Sequence, residues 1–386
     1  MEHISKLKIF NNIETALFIS RPNRFIVKCL HNNIIITAHL PNPGRLWELL
    51  KENQILYIAK TAPGSDRLTE YTVIAVDKGG IPVFLHTHHT NTVVGWLIEK
   101  QGIPGLEDYS IEKPEFTVGR SRFDFLLKKG DDRMLLEVKS CTLFHKNMAM
   151  FPDAVTDRGR RHLINIAGSS YYGGVLFVVH SPSAKYFLPE YHIDPEFSKT
   201  LYTLRNNIFV KAVSVTWGHD LSVDSKATEL NIPWDIYEKE GADCGSYLLI
   251  LNIDVDKEIA IGRLGNIFFK KGFYIYTGSA MKDLTARIER HKHKRKKLFW
   301  HIDYLREHAA LVHALPIRSS SRLECEIAAS VSRISHSQIK SFGSSDCNCN
   351  SHLFYMDKNP VESREFVNLL LYYRMEHNKK TTPRQI

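Results

Sequence analysis

Ser121-Arg122-Phe123-Asp124-Phe125-Leu126-Leu127 is followed, after Lys128-Lys129-Gly130-Asp131-Asp132-Arg133, by Met134-Leu135-Leu136-Glu137-Val138-Lys139. Both flanks are short, apolar and rich in strand formers, and Gly130-Asp131 between them is a two-residue turn signal. Folded as a hairpin about that turn, positions whose numbers sum to 261 face one another, so Asp124 lies opposite Glu137. Like charges directly opposite destabilise a sheet, whereas a divalent cation bridging them reverses the sign. Because side chains alternate along a strand, Lys139 shares the face of Glu137. Two carboxylates and a lysine on one face equip metal-assisted phosphodiester hydrolysis. The acids hold Mg²⁺ (or Mn²⁺), and the lysine orients the attacking water and offsets charge at the phosphate. A surface hairpin with solvated charges and a slipped register is the competing reading of the same residues.

Around this segment, composition bounds the molecule. A chain of 386 residues, 43% hydrophobic and 24% charged, is that of a globular protein with two or three domains. The net charge of +9 favours a polyanionic partner, nucleic acid or an anionic membrane surface. Met1 to Phe10 carries charges throughout, with no apolar core like a signal peptide's, and no uninterrupted apolar run of about 18 residues occurs. A cytoplasmic protein with no membrane association is expected. Six cysteines in this length do not make a disulfide scaffold.

Along the chain, short apolar strands are expected at Phe25–Leu30, Ile34–Leu40, Ile55–Lys60, Tyr71–Val76 and Ile81–His86. Five such strands suit a small closed barrel of the OB kind, a common nucleic-acid platform, or a small sheet with no ligand role. Asn91 to Lys100 reads as a helix. After Lys139 a polar segment leads to a helix from about Asp153 to Ala167 and then a strand, Gly174–His180. Strand, helix, strand at this spacing implies a right-handed crossover and parallel pairing. Another helix and the strand Ile208–Trp217 follow, and the polar stretch His219 to Ala242, interrupted by Pro233, reads as a linker.

The run Arg122-Phe123-Asp124-Phe125 with Glu137-Val138-Lys139 resembles the PD-(D/E)xK nuclease core. More narrowly, Ser121-Arg122-Phe123-Asp124-Phe125, Phe151-Pro152-Asp153-Ala154-Val155-Thr156-Asp157-Arg158-Gly159 and His39-Leu40-Pro41-Asn42-Pro43-Gly44-Arg45 resemble the sugar fermentation stimulation protein A family. The resemblance implies an OB-like barrel followed by a PD-(D/E)xK domain, with DNA binding as the family's property. It also implies Glu115 as an additional carboxylate, because a glutamate precedes the hairpin in the family pattern.

A second pattern begins at Gly245. Tyr247–Ile253, Glu258–Leu264 and Phe273–Thr277 read as strands, and Asp283–His291 and His301–Ala309 as helices. Gly245-Ser246-Tyr247, Tyr276-Thr277-Gly278, Leu284, Arg287 and His291 are similar to the GIY-YIG nuclease spacing. Trp300-His301-Ile302-Asp303-Tyr304-Leu305 and Phe342-Gly343-Ser344-Ser345-Asp346-Cys347 bring the segment nearer to an uncharacterised GIY-YIG-like family. Arg287 and His291 share a helix face. The resemblance implies a Tyr247, Tyr276 or His291 base, a phosphate-binding Arg287 and a metal-binding glutamate, Glu324 or Glu326. Ser246 and Thr277 stand where the family has isoleucines. Tyrosines on strands also serve simply as core.

His291 to Lys297 is a cationic run. Lys294, Arg295, Lys296 and Lys297 contact a phosphate backbone or form a solvated helix end. Arg158, Arg161 and His162 contact phosphate or cover the sheet edge, and Arg122 is expected to contact nucleic acid. Cys347, Cys349 and His352, with Cys325, offer a zinc ligand set, but C-x-C is shorter than the usual knuckle and buried free cysteines are common, which ranks zinc second. The expected architecture is mixed α/β and α+β. It comprises an OB-like nucleic-acid-binding module over 1–86, a PD-(D/E)xK restriction-endonuclease-like domain over 87–230 and a GIY-YIG-like domain over 242–386. The expected function is Mg²⁺-dependent hydrolysis of nucleic acid, DNA rather than RNA, with weak sequence preference. The alternative is a non-catalytic DNA-binding regulator.

Overall fold

The computed structural model describes residues 6–61, 69–294 and 297–377, with Arg295 and Lys296 of the cationic run lying outside them. The chain divides into two compact units, one ending at Trp234 and the other beginning at Asp235.

The first unit opens with β1 (Ile13–Asn23), β2 (Ile26–His31), β3 (Ile34–His39), β4 (Ile55–Lys60), β5 (Tyr71–Asp77) and β6 (Pro82–Phe84). They are ordered β3-β2-β1-β4-β5-β6, and a parallel β3–β5 pairing closes an OB-like barrel. The long β1 was not among the expected strands. Ala16 and Phe18 face inward, but Leu17 and Ile19, more than a third exposed, are apolar too, so the two-residue period is hidden.

A mixed sheet follows. Its elements are α1 (Thr90–Glu99), β7 (Ser110–Val118), β8 (Ser121–Lys129), β9 (Asp132–Cys141), α2 (Asp157–Ala167), β10 (Tyr172–Val179), α3 (Pro195–Leu204), β11 (Phe209–Ser214) and β12 (Thr228–Glu229). The strand order is β12-β11-β10-β9-β8-β7. The β8–β9 hairpin has the expected register, with Met134 opposite Leu127 and Leu136 opposite Phe125. Gly130 supplies the positive φ of +58° that the first central position of such a turn requires. β9, β10 and β11 run parallel, as the strand–helix–strand spacing requires.

Both sheet faces are covered. Val93, Val94, Leu97 and Ile98 of α1 pack with Leu127, Leu136, Leu176 and Val178 on one side. Leu163 and Ile166 of α2 join Leu135, Val175, Phe177 and the barrel interior on the other. Fully burying each such side chain contributes roughly 1.5–3 kcal/mol, which holds the helices that flank the hairpin in place.

Two expectations are corrected here. The helix expected from Asp153 starts at Asp157, capped by the Thr156 side chain accepting from Gly159 N–H. Asp153 is drawn off instead to accept the backbone N–H groups of Arg45 and Leu46. The stretch read as a linker is largely folded: Ser222–Asp224 pairs with Lys6–Lys8, β12 joins the sheet, and Leu221, Val223 and Leu230 are buried.

The second unit contains β13 (Gly245–Ile253), β14 (Gly272–Ala280), α4 (Leu284–Lys292), α5 (His301–His308), β15 (Ala310–Arg318), α6 (Glu324–Ile334), β16 (Ser337–Gln338), β17 (Leu353–Met356) and α7 (Arg364–Met375). An antiparallel sheet runs β15-β13-β14-β17-β16. The strand expected at Glu258–Leu264 is Lys257–Ala260, paired with Asn266–Phe269 across a turn at Gly262–Leu264. Among the described residues no helix is long and apolar enough to cross a membrane.

Candidate functional site

The β8–β9 ladder stops at Leu136 and Phe125, one step short of the facing carboxylates. There the strands part, β8 continuing against β7 and β9 against β10. Asp124 Oδ2 takes the place of a ladder carbonyl, accepting the Val138 N–H at 2.7 Å. Its Oδ1 accepts from Asn91 Nδ2 in the first turn of α1, also at 2.7 Å. Glu137 is 5% exposed, and its Oε1 accepts from Lys139 Nζ at 2.5 Å and from His162 Nδ1 of α2 at 2.7 Å. Its Oε2 is buried with no hydrogen-bond partner among the described residues.

The two acids differ in proton affinity. Burial, and then the Glu137 charge, hold the Asp124 carboxyl above the ordinary aspartate range, against the opposing Val138 and Asn91 hydrogen bonds. Burial also works against ionisation of Glu137, but the His162 hydrogen bond and the Lys139 ammonium outweigh it and hold that carboxyl below its ordinary range. A charged carboxylate with one oxygen left bare in the interior costs free energy unless something cationic meets it. Paired oxygen donors of this kind suit hard divalent cations. The residues therefore fit a metal ion.

The other expected site residues are placed as follows. Glu115, at φ +50°, lies between the Pro114–Phe125 and Phe116–Phe123 pairs, across from Asp124. Its carboxylate turns instead to Arg122 at 3.6 Å, both side chains more than half exposed, and leaves the Asp124–Glu137 pair. Arg158 and Arg161 are exposed on α2, and Arg158 Nε sits 3.5 Å from His162 Nε2, so one helix presents cations beside the acids. Asn91 was missed in the sequence, and the role of His162 toward Glu137 was not seen. A polar residue in a helix's first turn gives no local signal, and only tertiary packing aims His162 at Glu137.

Two separated motifs meet near this site. Arg21 donates to the carbonyls of Asn42, Gly44 and Arg45, and Asn42 Oδ1 accepts the Gly44 N–H. The turn so shaped presents the Arg45 and Leu46 N–H groups to Asp153. A Cβ on Gly44 would stand 2.7 Å from Asp153 Oδ2, so this close approach requires glycine. The latch fixes the start of α2, and with it His162.

In the second unit, Tyr247, Tyr276, Arg287, His291 and Glu324 also converge. The Tyr247 hydroxyl lies 2.9 Å from His291 Nε2, and the Tyr276 ring is 6.3 Å from that of Tyr247. Tyr247 and His291 are at most 2% exposed. Burial is the largest cause pushing both tyrosine hydroxyls up, away from ionisation. Arg287 stacks over Trp300 at 4.3 Å, beside Arg290 on the same ring. Glu324 accepts from Ser279 Oγ and from His352 Nδ1, the latter at 3.1 Å. Burial opposes its ionisation, but these hydrogen bonds hold its carboxyl below the ordinary range. Lys294 and Lys297 are exposed beyond the end of α4.

Comparison with known proteins matches three family descriptions in order. They are "SfsA N-terminal OB domain" over residues 19–85, "Sugar fermentation stimulation protein RE domain" over 88–220 and "Domain of unknown function DUF123" over 246–373. A sugar fermentation stimulation protein homolog of Methanothermobacter thermautotrophicus is 40% identical over 196 residues, 50% of this chain and 81% of that protein. One from Methanosphaera stadtmanae is 37% identical over 240 residues, 58% of this chain and 99% of that protein. Among solved structures, Pyrococcus furiosus SfsA in complex with Ca²⁺ is similar, with TM-score 0.54 and 27% identity. The match covers 59% of this chain and 98% of that one.

Proposed function

The chain belongs to the sugar fermentation stimulation protein family, and we propose that its N-terminal unit is a divalent-metal-dependent phosphodiesterase acting on nucleic acid. DNA rather than RNA is the proposed substrate, with weak sequence preference. The observation that carries this reading is the buried, unpartnered Oε2 of Glu137 at the point where the hairpin strands part beside Asp124. The Ca²⁺ named with the Pyrococcus furiosus relative supports a divalent cation at oxygen donors. Asp124 and Glu137 would hold Mg²⁺ or Mn²⁺, which supplies Lewis acidity at a phosphoryl oxygen and lowers the pKa of bound water.

The chain's own residues do the rest. Asn91 and the Val138 N–H fix Asp124, and His162 fixes Glu137 through Oε1, so that Oε2 would be left available to a cation. Lys139, on the same face, offsets negative charge on the scissile phosphate and orients the nucleophile. Arg158 and Arg161 on α2 and the net charge of +9 support backbone contacts, which position a nucleic acid without reading its bases. We place hydrolysis here rather than at Tyr247 and Tyr276, because burial above all pushes both hydroxyls away from ionisation.

The test is cleavage of supercoiled plasmid, single-stranded DNA and RNA by the full chain with Mg²⁺, Mn²⁺ or chelator, beside Asp124→Ala. Metal-dependent cleavage by the parent, abolished in the variant while binding persists, is expected. Binding of DNA with no cleavage under any metal would leave the non-catalytic regulator. Cleavage unchanged in Asp124→Ala would move the activity to another site.

A further inference from the structure

Cys325, in the first turn of α6, Cys347 and Cys349, in the segment between β16 and β17, and His352, just before β17, come together in the second unit. One ligand atom from each lies within 4.8 Å of all the others. Four ligands held tetrahedrally at zinc's bond lengths of 2.0–2.3 Å stand about 3.5–3.8 Å apart, so side-chain rotations close the set around an ion. The donors come from different parts of the second unit, and the segment that carries His352 is anchored independently of any ion. His352 N–H bonds Phe342 O, Thr277 N–H bonds His352 O, and Ser351 Oγ donates to Ile339 O and Leu353 O.

The orientation of His352 is the second observation. His352 is 1% exposed; Nδ1 is directed to Glu324 Oε1 at 3.1 Å, and Nε2 lies 3.5 Å from Cys347 Sγ. A carboxylate on one ring nitrogen with thiols on the other is the arrangement that sets a histidine's tautomer for metal ligation. The carboxylate accepts the Nδ1–H hydrogen bond, which keeps the proton on Nδ1 and leaves the Nε2 lone pair free for an ion. Three thiolates and one imidazole form a closed, soft set, matching structural zinc and not the hard cations of the Asp124 site.

We propose that Cys325, Cys347, Cys349 and His352 bind one Zn²⁺ ion as a structural site, and that this ion positions Glu324 through His352. The three thiols lose their protons as the ion binds. All six cysteines are free thiols here, so no disulfide competes within the structure. The short spacing of Cys347-Asn348-Cys349 is completed by ligands drawn from α6 and from His352 just before β17. This inference is independent of the phosphodiesterase reading.

Zinc content of the full chain, purified under reducing conditions without chelator, tests it. One zinc per chain is expected, released by a mercurial thiol reagent. Replacement by Co²⁺ should give visible bands of tetrahedral cobalt and a thiolate charge-transfer band. Cys347→Ser and Cys349→Ser should lose at least tenfold in zinc occupancy, whereas Cys244→Ser, outside the cluster, should keep the parent's content. Glu324→Gln should weaken zinc binding about tenfold, the usual effect of removing a carboxylate behind a ligating histidine. A folded, reduced parent that holds no zinc and gives no cobalt charge-transfer band overturns the proposal. So does a parent whose mass, without reductant, shows two of these thiols oxidised to a disulfide that excludes the ion. The parent's own metal content decides the matter even if a variant fails to fold.

Discussion

Asp124 binds its proton more tightly in the folded chain than in an unfolded one, because burial and the Glu137 charge both penalise its ionised form. Between the unfolded and folded pKa values the native state therefore holds the extra proton. Stability without metal falls as pH rises from the ordinary aspartate range through the raised value. Asp124→Asn, with the Asn91 amide turned over to accept from the new amide, should remove that fall. Melting temperature against pH in chelator reads it, and equal slopes for parent and variant would show that Asp124 titrates normally. Divalent cation should stabilise the parent only, by about 2.7 kcal/mol at a hundredfold excess over Kd. His162 acts with the opposite sign. Its hydrogen bond helps hold the Glu137 carboxyl low, so His162→Ala should let Glu137 keep its proton to higher pH. The acid limb of Mg²⁺ binding should then move upward, with affinity at neutral pH falling about tenfold or more. Calorimetric titration at several pH values checks this. An unmoved acid limb would reduce His162 to packing against Phe123, whose ring lies 5.9 Å away.

At the scale of elements, α4 ends in a cationic run that its own fold does not need. Arg306 of α5 donates to the carbonyls of His291 and Lys292, and Arg290 ties Asp303 to the Lys297 carbonyl. With the helix end capped from α5, the exposed lysines remain available to a phosphate backbone. Replacing Lys294, Arg295, Lys296 and Lys297 with glutamine should leave the melting temperature unchanged. It should flatten the logarithmic salt dependence of duplex binding by about 0.9 for each phosphate no longer neutralised. Titrations at several salt concentrations measure the slope, and identical slopes would make the run a solvated helix end. The elements also divide by what made them readable. The β8–β9 hairpin rests on a turn residue and alternation within twenty residues, so its register was legible. The start of α2 was not, because Asp153 is engaged by amides 107 and 108 positions earlier in the chain.

For the whole molecule, the boundary at Trp234 and Asp235 has an energetic consequence. Glu240, 2% exposed, accepts the Ser320 N–H at 2.7 Å and the Ser320 hydroxyl at 3.1 Å. A fragment from Asp235 onward keeps this cap and should fold alone. One from Gly241 onward loses it, and should be less stable by about 1–3 kcal/mol, the cost of leaving a buried donor without a partner. Thermal melting of both fragments by circular dichroism compares them; equal stability would make Glu240 incidental, and an unfolded longer fragment would end the two-unit division. By itself the sequence determined the barrel strands from Ile26 onward, the hairpin that faces Asp124 with Glu137, the parallel crossover and the helix carrying Arg287 and His291. These follow from periodicity and turn chemistry, which act between near neighbours. Only the tertiary structure decided that Asn91 and His162 brace the two acids, that Glu115 turns away to Arg122, and that Cys325 joins Cys347, Cys349 and His352. Those juxtapositions depend on how helices pack on a sheet, and no pattern local to any one segment encodes where another segment's side chains will arrive.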